Sequence, residues 1–426
     1  MPRMMTIRLF VASGAALLIM TTSSAAHEHK AVKSPSGVSS DKRLARALDW
    51  LDKNGAWIAQ QQIKITEVPA PTFHEQKRAE VFRKILENAG LKVRIDSAGN
   101  VTAEYAGADS NSVVLVAAHL DTVFPEGTDV HVRQRGTRLE APGIGDNGAG
   151  LAALAGITRA LHESRVRTHS TIVLAADVGE EGEGNLRGIR ALVGEYGSRL
   201  RAVIAVDGFA TDYVTTRALG SQRLEITVTG PGGHSWSDFG LPNPITALAR
   251  GIVRFSAARV PDSPRTTFNF GMISGGTSVN SIPASASVQL DIRSESDTEI
   301  ARLMAAADKA FQRGIDDEME TAGHSAILTV KNRELGSRPS GMLPENSSLL
   351  TAVRGADRAL GNVSREEISS TDANIPLSMG IPAIAMGAGG SGGGTHTQQE
   401  WYDSAGREMG IKRVLLTVVN IAGLAQ

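Results

Sequence analysis

Val113-Val114-Leu115-Val116-Ala117-Ala118-His119-Leu120-Asp121 decides the fold: an apolar run without a polar interruption, then an imidazole, then a carboxylate. A run this short suits a strand buried on both faces, and such strands belong to parallel sheets covered by helices. The pattern recurs at Thr171 to Ala176, Ala202 to Val206 and Ile381 to Met386. Between the first two of these strands lies Ala149 to Leu161, with Leu151, Leu154, Ile157 and Leu161 at helical spacing. Nearer the start, Leu44, Leu48 and Leu51 follow Asp41, and Val81, Ile85 and Leu86 mark a second amphipathic helix within His74 to Ala89. Strands alternating with helices predict an α/β layer with a mostly parallel central sheet. Ligands of such sheets gather beyond the carboxyl ends of the strands. His119, Glu180, Glu181 and Asp207 each stand just past an apolar run, so distant segments are expected to converge on one cleft.

The pattern changes from about Ala218 to Lys331. Leu224 to Val228 alternates, Ile245 to Val253 is helical, and Thr266 to Ile273 and Ser287 to Ile292 are strand-like. Ile300, Leu303, Met304, Ala307 and Phe311 form a helix stripe, and Ile327 to Val330 is again a strand. This β-α-β-β-α-β order predicts an α+β ferredoxin-like unit. It is inserted into the first layer, because a further buried strand and His396 follow it. The expected division is 41–217 and 332–426 for the α/β domain and 218–331 for the insertion.

The chain has 426 residues, 44 Lys+Arg against 45 Asp+Glu, and 41% hydrophobic residues, enough for a large core. Its Arg residues are scattered rather than gathered into a basic stripe, which argues against a nucleic-acid partner. Arg3 and Arg8, the apolar stretch Leu9 to Met20 and the small residues Ser24-Ala25-Ala26 have the three parts of a secretory signal over 1–26. That stretch is shorter than the roughly 20 apolar residues of a membrane span, so a secreted or periplasmic protein without membrane contact after signal removal is expected. His27 to Ser40, with Pro35 and Gly37, reads as a flexible leader. There is no cysteine, so any transition metal must sit on His, Asp and Glu.

His119 and Asp121 lie two apart at a strand end and face the same way, which lets a carboxylate fix the tautomer and aim of an imidazole. Asp146 stands in Gly143-Ile144-Gly145-Asp146-Asn147-Gly148, between glycines and before a helix, and a carboxylate can bridge two cations with its two oxygens. Those six residues also spell G-x-G-x-x-G, the dinucleotide fingerprint. The preceding Arg135 to Glu140 is polar where a buried strand is required, and Asp146 would set negative charge beside a pyrophosphate. Glu180 and Glu181 are neighbours whose side chains diverge, so one can bind metal while the other serves as general base. Asp207 closes an apolar strand, and His396 follows the glycine loop Gly389 to Gly394. Gly389-Gly390-Ser391-Gly392-Gly393 fits a nucleophile elbow only formally, since no helix follows and no Asp-then-His order comes after it. Two imidazoles and at least three carboxylates are the ligand set of a two-metal hydrolase.

In this order, with Gly232-Gly233-His234 inside the insertion, the motifs resemble the M20 clan of dizinc metallopeptidases (peptidase T, carboxypeptidase G2, aminoacylase), over nearly the whole chain after the signal. The resemblance implies a zinc-exopeptidase catalytic domain with an inserted lid and dimerisation domain, and a homodimer formed through it. It implies two Zn2+ per chain, with Co2+ or Mn2+ as substitutes: His119 and Asp207 on one metal, Glu181 and His396 on the other, Asp146 bridging. Glu180 would be the general base, Asp121 would orient His119, and His234 would be the lid imidazole that stabilises the oxyanion. Asn280, within Gly275 to Pro283, and Arg293, in Asp291-Ile292-Arg293, would face substrate. A non-proline cis peptide is implied after Asp146. Asp207, as Asp rather than Glu, and Ser370-Thr371-Asp372-Ala373-Asn374 are similar to peptidase T-like members. The surroundings of His234, Ser235-Trp236-Ser237-Asp238, depart from that branch. The expected activity is a secreted exopeptidase of aminopeptidase or dipeptidase type acting on short peptides; the alternative is an N-acyl-amino-acid amidohydrolase using the same two metals. His74, His131, His162, His169 and His324 read as solvated, and His27-Glu28-His29 as an incidental copper or nickel chelator.

Overall fold

The apolar run from Val113 becomes the buried end of the strand Asp109–His119, at the centre of a nine-stranded sheet. The structure, a computed structural model, describes residues 41–323 and 326–425. The expected secretory signal, the leader, the His27-Glu28-His29 opening and His324 lie outside the described residues. Ser170–Asp177, Asp109–His119, Leu200–Val206 and Ala383–Met386 run parallel in that order, with His119 opposite Asp177 and Met386 opposite Val206. The edges are antiparallel, through Val101–Tyr105 on one side and Tyr213–Ala218 on the other.

Every residue of Ser170–Asp177 is buried, as a strand covered on both faces requires. Cover comes from the helix Gly148–Ser164, apolar nearly all round, from Arg407–Ala422, and from Lys42–Lys53 and Gly55–Thr66 packed on the first of these. Asp41 caps Lys42–Lys53 by accepting the amides of Arg43 and Leu44. Among the described residues no helix is long and apolar enough to cross a membrane.

A second, separate core joins Leu224, Ile226, Phe255, Val288, Leu290, Leu303 and Phe311. Here Gly220–Thr229, Thr266–Gly275, Ser285–Ser294 and Thr329–Arg338 form a four-stranded sheet in the spatial order second, third, first, fourth, the ferredoxin-like arrangement. The helices Pro244–Ser256 and Asp297–Thr321 pack against it. The fourth strand differs from expectation. Its apolar signal stops at Val330, but it pairs with Gly220–Thr229 as far as Arg338 opposite Ser221, beyond the expected boundary at 331.

A small four-stranded sheet joins two segments distant in the chain. Arg133–Arg135 and Arg138–Glu140 form a hairpin, which pairs through Trp401 opposite Glu140 with Trp401–Asp403 and then Ser391–Gly393. The polar segment before Gly143 is thus a surface hairpin, the wrong context for a dinucleotide loop. Ser391 is followed by the strand Trp401–Asp403 and not directly by a helix, which removes the nucleophile-elbow reading as well.

Candidate metal centre

His119 ends its strand almost fully buried, at 1% exposure, and its Nδ1 lies 3.0 Å from the carbonyl oxygen of Asp121. A carbonyl only accepts, so Nδ1 carries a proton and Nε2 is the nitrogen free for a ligand bond. Nε2 lies 3.0 Å from Asp146 Oδ1 and 3.8 Å from Asp207 Oδ1. On the other side, His396 Nε2 lies 3.2 Å from Asp146 Oδ2 and 3.0 Å from Glu181 Oε1. Asp146 therefore offers one oxygen to each imidazole. The five residues separate into His119 with Asp207 and His396 with Glu181, sharing Asp146 between them.

The field of this cluster favours positive charge. Burial opposes a charged His119, but Asp146 and Asp207 outweigh it and hold its pKa well above the ordinary value. Asp146 and Glu181 raise His396 to about 10. Burial pushes Asp146 upward, yet the two imidazoles win and hold it well below the usual carboxylate range. Candidate ligand atoms of His119, Asp146 and Glu181 lie within 4.8 Å of one another. Imidazole nitrogens and carboxylate oxygens around a shared negative charge fit a divalent cation such as zinc, manganese or cobalt.

The model of peptidase family M20/M25/M40 matches residues 115–420. The chain belongs to this family. It is a hydrolase of peptide (amide) bonds. A Mycobacterium tuberculosis protein assigned as a succinyl-diaminopimelate desuccinylase is 26% identical over 76% of this chain and 88% of its own. The cytosol non-specific dipeptidase of Escherichia coli is 23% identical over 74% and 71%. Among solved structures, a tripeptidase from Staphylococcus aureus superposes with a TM-score of 0.72 at 19% identity, covering 87% of this chain and 99% of that one. A dinuclear metal-binding peptidase of the family from Bacillus subtilis gives 0.63 at 17% identity, covering 87% and 99%.

In this M20 chain the cluster is held by buried carboxylates that accept main-chain amides. Glu400 takes Gly143 N on Oε2 at 2.7 Å, and Gly145 N and Asp146 N on Oε1 at 2.9 Å each. A Cβ at Gly145 would stand 3.1 Å from Glu400 Oε1, tighter than such contacts normally run, so glycine keeps the loop closed on that carboxylate. Burial pushes Glu400 up to about 7 despite its three amide donors. Asn147 caps the following helix through Gly150 N and donates Nδ2 to Val206 O at 2.8 Å, tying the Asp146 loop to the strand that ends at Asp207. The cis peptide lies at Asp146–Asn147.

Asp121 does a different job from the one its spacing suggests. Its carboxylate is 3.7 Å from His119 Nδ1, which bonds the Asp121 carbonyl instead. The carboxylate oxygens accept Glu180 N and Glu181 N at 3.0 Å each, and Thr72 Oγ at 2.8 Å. Asp121 thus orients His119 with its main chain and the Glu180-Glu181 loop with its side chain. Glu180 is 5% exposed, and its Oε1 accepts Arg338 Nη1 at 2.9 Å. Burial raises it to about 8, with Arg338 opposing. A carboxyl so placed is poised near neutral pH for proton transfer.

Of the groups expected from the insertion, none reaches the cluster: among the described residues no hydrogen bond or ion pair joins His234, Asn280 or Arg293 to it. His234 is exposed, and its Nδ1 faces the amides of Trp236 and Ser237 at 3.2 and 3.4 Å. Accepting there places the proton on Nε2 and leaves a donor at the free edge of the ring. Asn280 is bonded by Ser278 Oγ, and Arg293 donates to Asp291 at 2.8 Å. Sequence reasoning misses Arg338, Glu400 and Thr72. Glu400 carried one faint signal, its place four residues after His396.

Proposed function

We propose that the protein is an exported two-zinc exopeptidase of aminopeptidase or dipeptidase type that trims short peptides. The observation that carries this reading is Asp146, set between His119 and His396 with one oxygen toward each. His119 and Asp207 would hold one cation, Glu181 and His396 the other, and Asp146 both. Two divalent cations held there supply Lewis acidity to the scissile carbonyl and lower the pKa of water. Glu180 takes a proton from the attacking water and delivers it to the leaving nitrogen. His234 Nε2–H supplies a donor for the developing oxyanion, and Asn280 and Arg293 bind the substrate's polar groups.

Among the described residues His234 has no bond to the cluster, which supports delivery from a second copy through the insertion. Met272 and Ile273 on the edge strand Thr266–Gly275 and Val253 on Pro244–Ser256 leave more than 60% of their surface exposed, apolar surface that suits such a dimer. The residues from Arg3 to Ala26 support export, with cleavage giving a chain that begins at His27.

Purified protein assayed on dipeptides, tripeptides and N-acetyl amino acids, before and after chelation, tests the activity. Dipeptides or tripeptides should be turned over in preference to N-acetyl amino acids, and chelation should abolish turnover until zinc is restored. Preference for N-acetyl amino acids, or activity indifferent to chelation, contradicts the proposal.

A further inference from the structure

Two crossings join the insertion to the sheet domain, at Leu219, between Tyr213–Ala218 and Gly220–Thr229, and at Pro339-Ser340, between Thr329–Arg338 and Gly341–Met342. Both are pinned from one side. Asn374, fully buried, donates Nδ2 to Leu219 O and to Pro339 O, each at 2.9 Å. Arg338 is the last residue of the insertion's closing strand, immediately before one crossing, yet its side chain turns into the catalytic domain and is 8% exposed.

There the guanidinium grips one residue twice. Nη1 donates to Glu180 Oε1 at 2.9 Å and to Ser370 Oγ at 3.1 Å, while Nη2 donates to the Glu180 carbonyl oxygen. A planar fork on the side chain and main chain of the same glutamate fixes its direction as well as its place, which a single ammonium cannot do. Among the described residues Glu180 Oε2 has no hydrogen-bond partner, so the grip leaves one carboxylate oxygen unengaged.

The neighbouring contacts bind the same two pieces. Asn185 Oδ1 accepts Ser337 N at 2.8 Å, Arg190 Nη2 donates to Ser337 O at 2.6 Å, and Arg223 Nη1 donates to Gly182 O at 3.4 Å. The segment from Glu180 to Arg190 is therefore fastened to the insertion's strands at successive points. We propose that Arg338 is the positioning residue of Glu180 and ties the proton-transfer carboxylate to the insertion's closing strand. This rests on the reading of Glu180 as the base.

The test uses the zinc-loaded full chain, with kcat, KM and zinc per chain measured on a dipeptide for Arg338→Met, Arg338→Lys and Glu180→Gln. Arg338→Met should lower kcat about 100-fold, the scale of a misplaced catalytic group, with KM and zinc content unchanged. Arg338→Lys, which keeps the charge and loses the fork, should recover part of that, to about tenfold below the unaltered enzyme. An Arg338→Met kcat close to that of the unaltered enzyme overturns the proposal, as does a loss explained by missing zinc or raised KM. If Arg338→Met does not fold, Arg338→Lys decides: a kcat about tenfold low at unchanged KM supports the fork, and an unchanged kcat overturns it. Glu180→Gln separates the two levels. Near-normal turnover there overturns the base assignment itself, whereas an inactive Glu180→Gln beside a fully active Arg338→Met overturns only the role of Arg338.

Discussion

The two halves of the candidate site are held in opposite ways. In the sheet domain two of the loops that carry candidate ligands are closed on buried carboxylates: Glu400 gathers the amides of 143, 145 and 146, and Asp121 those of 180 and 181. In the insertion, the side chains of His234 and Asn280 are exposed and hydrogen-bond only to near neighbours in sequence. Preorganisation belongs where cations must be held at fixed spacing, and freedom belongs where a group must approach after substrate binds. Arg338 is the exception, an insertion residue locked into the rigid half.

Removing a group from the free half should cost chemistry and spare the metal. His234→Ala is expected to lower kcat by about 100- to 1,000-fold, as loss of an oxyanion donor does, with zinc content unchanged. Lost zinc in that variant would erase the distinction between the halves. In the rigid half the order reverses: Glu400→Gln and Asp121→Asn, which put an amide group against main-chain donors, should weaken zinc binding by about 10- to 100-fold. Chelator competition reads this directly, and unchanged affinity would mean that the amide clamps do not set the cluster.

The smallest effect is a pH slope. His396, raised to about 10, and His119, raised by Asp146 and Asp207, both hold protons at neutral pH when no cation is bound. Coordination must remove those protons, so zinc uptake should release them, and apparent affinity should rise between pH 6 and 8 by about tenfold per unit for each proton displaced. Titration calorimetry in buffers of different ionisation enthalpy counts the protons. Affinity independent of pH over that window would contradict the electrostatics described for both imidazoles.

The legible part of the site is the part that strands announce. Val113 to Ala118 and Ala202 to Val206 are apolar because they are buried on both faces, and the first polar residue after each falls at the sheet's carboxyl edge by geometry alone. His119 and Asp207 are therefore placed together by the sequence pattern alone. The clamps were not legible, because their partners are remote in the chain: Arg338 meets Glu180 across 158 residues and Glu400 meets Asp146 across 254. Nor does local pattern distinguish a carboxylate that faces an imidazole from one that accepts amides, so the spacing of Asp121 sets it beside His119 but does not reveal the amides of Glu180 and Glu181 on its carboxylate. The polar end of Thr329–Arg338 hid for a related reason. That strand is held by pairing with Gly220–Thr229 and not by an apolar face, so its last residues carry no periodic signal.

The central claim is that Glu180 moves the proton while neighbouring residues hold the cations. Turnover and zinc content of Glu180→Gln, measured on the same preparation, test it most directly. The prediction is a kcat lowered by about 100- to 10,000-fold with zinc per chain equal to that of the unaltered enzyme. Near-normal turnover, or inactivity accompanied by loss of zinc, would contradict it.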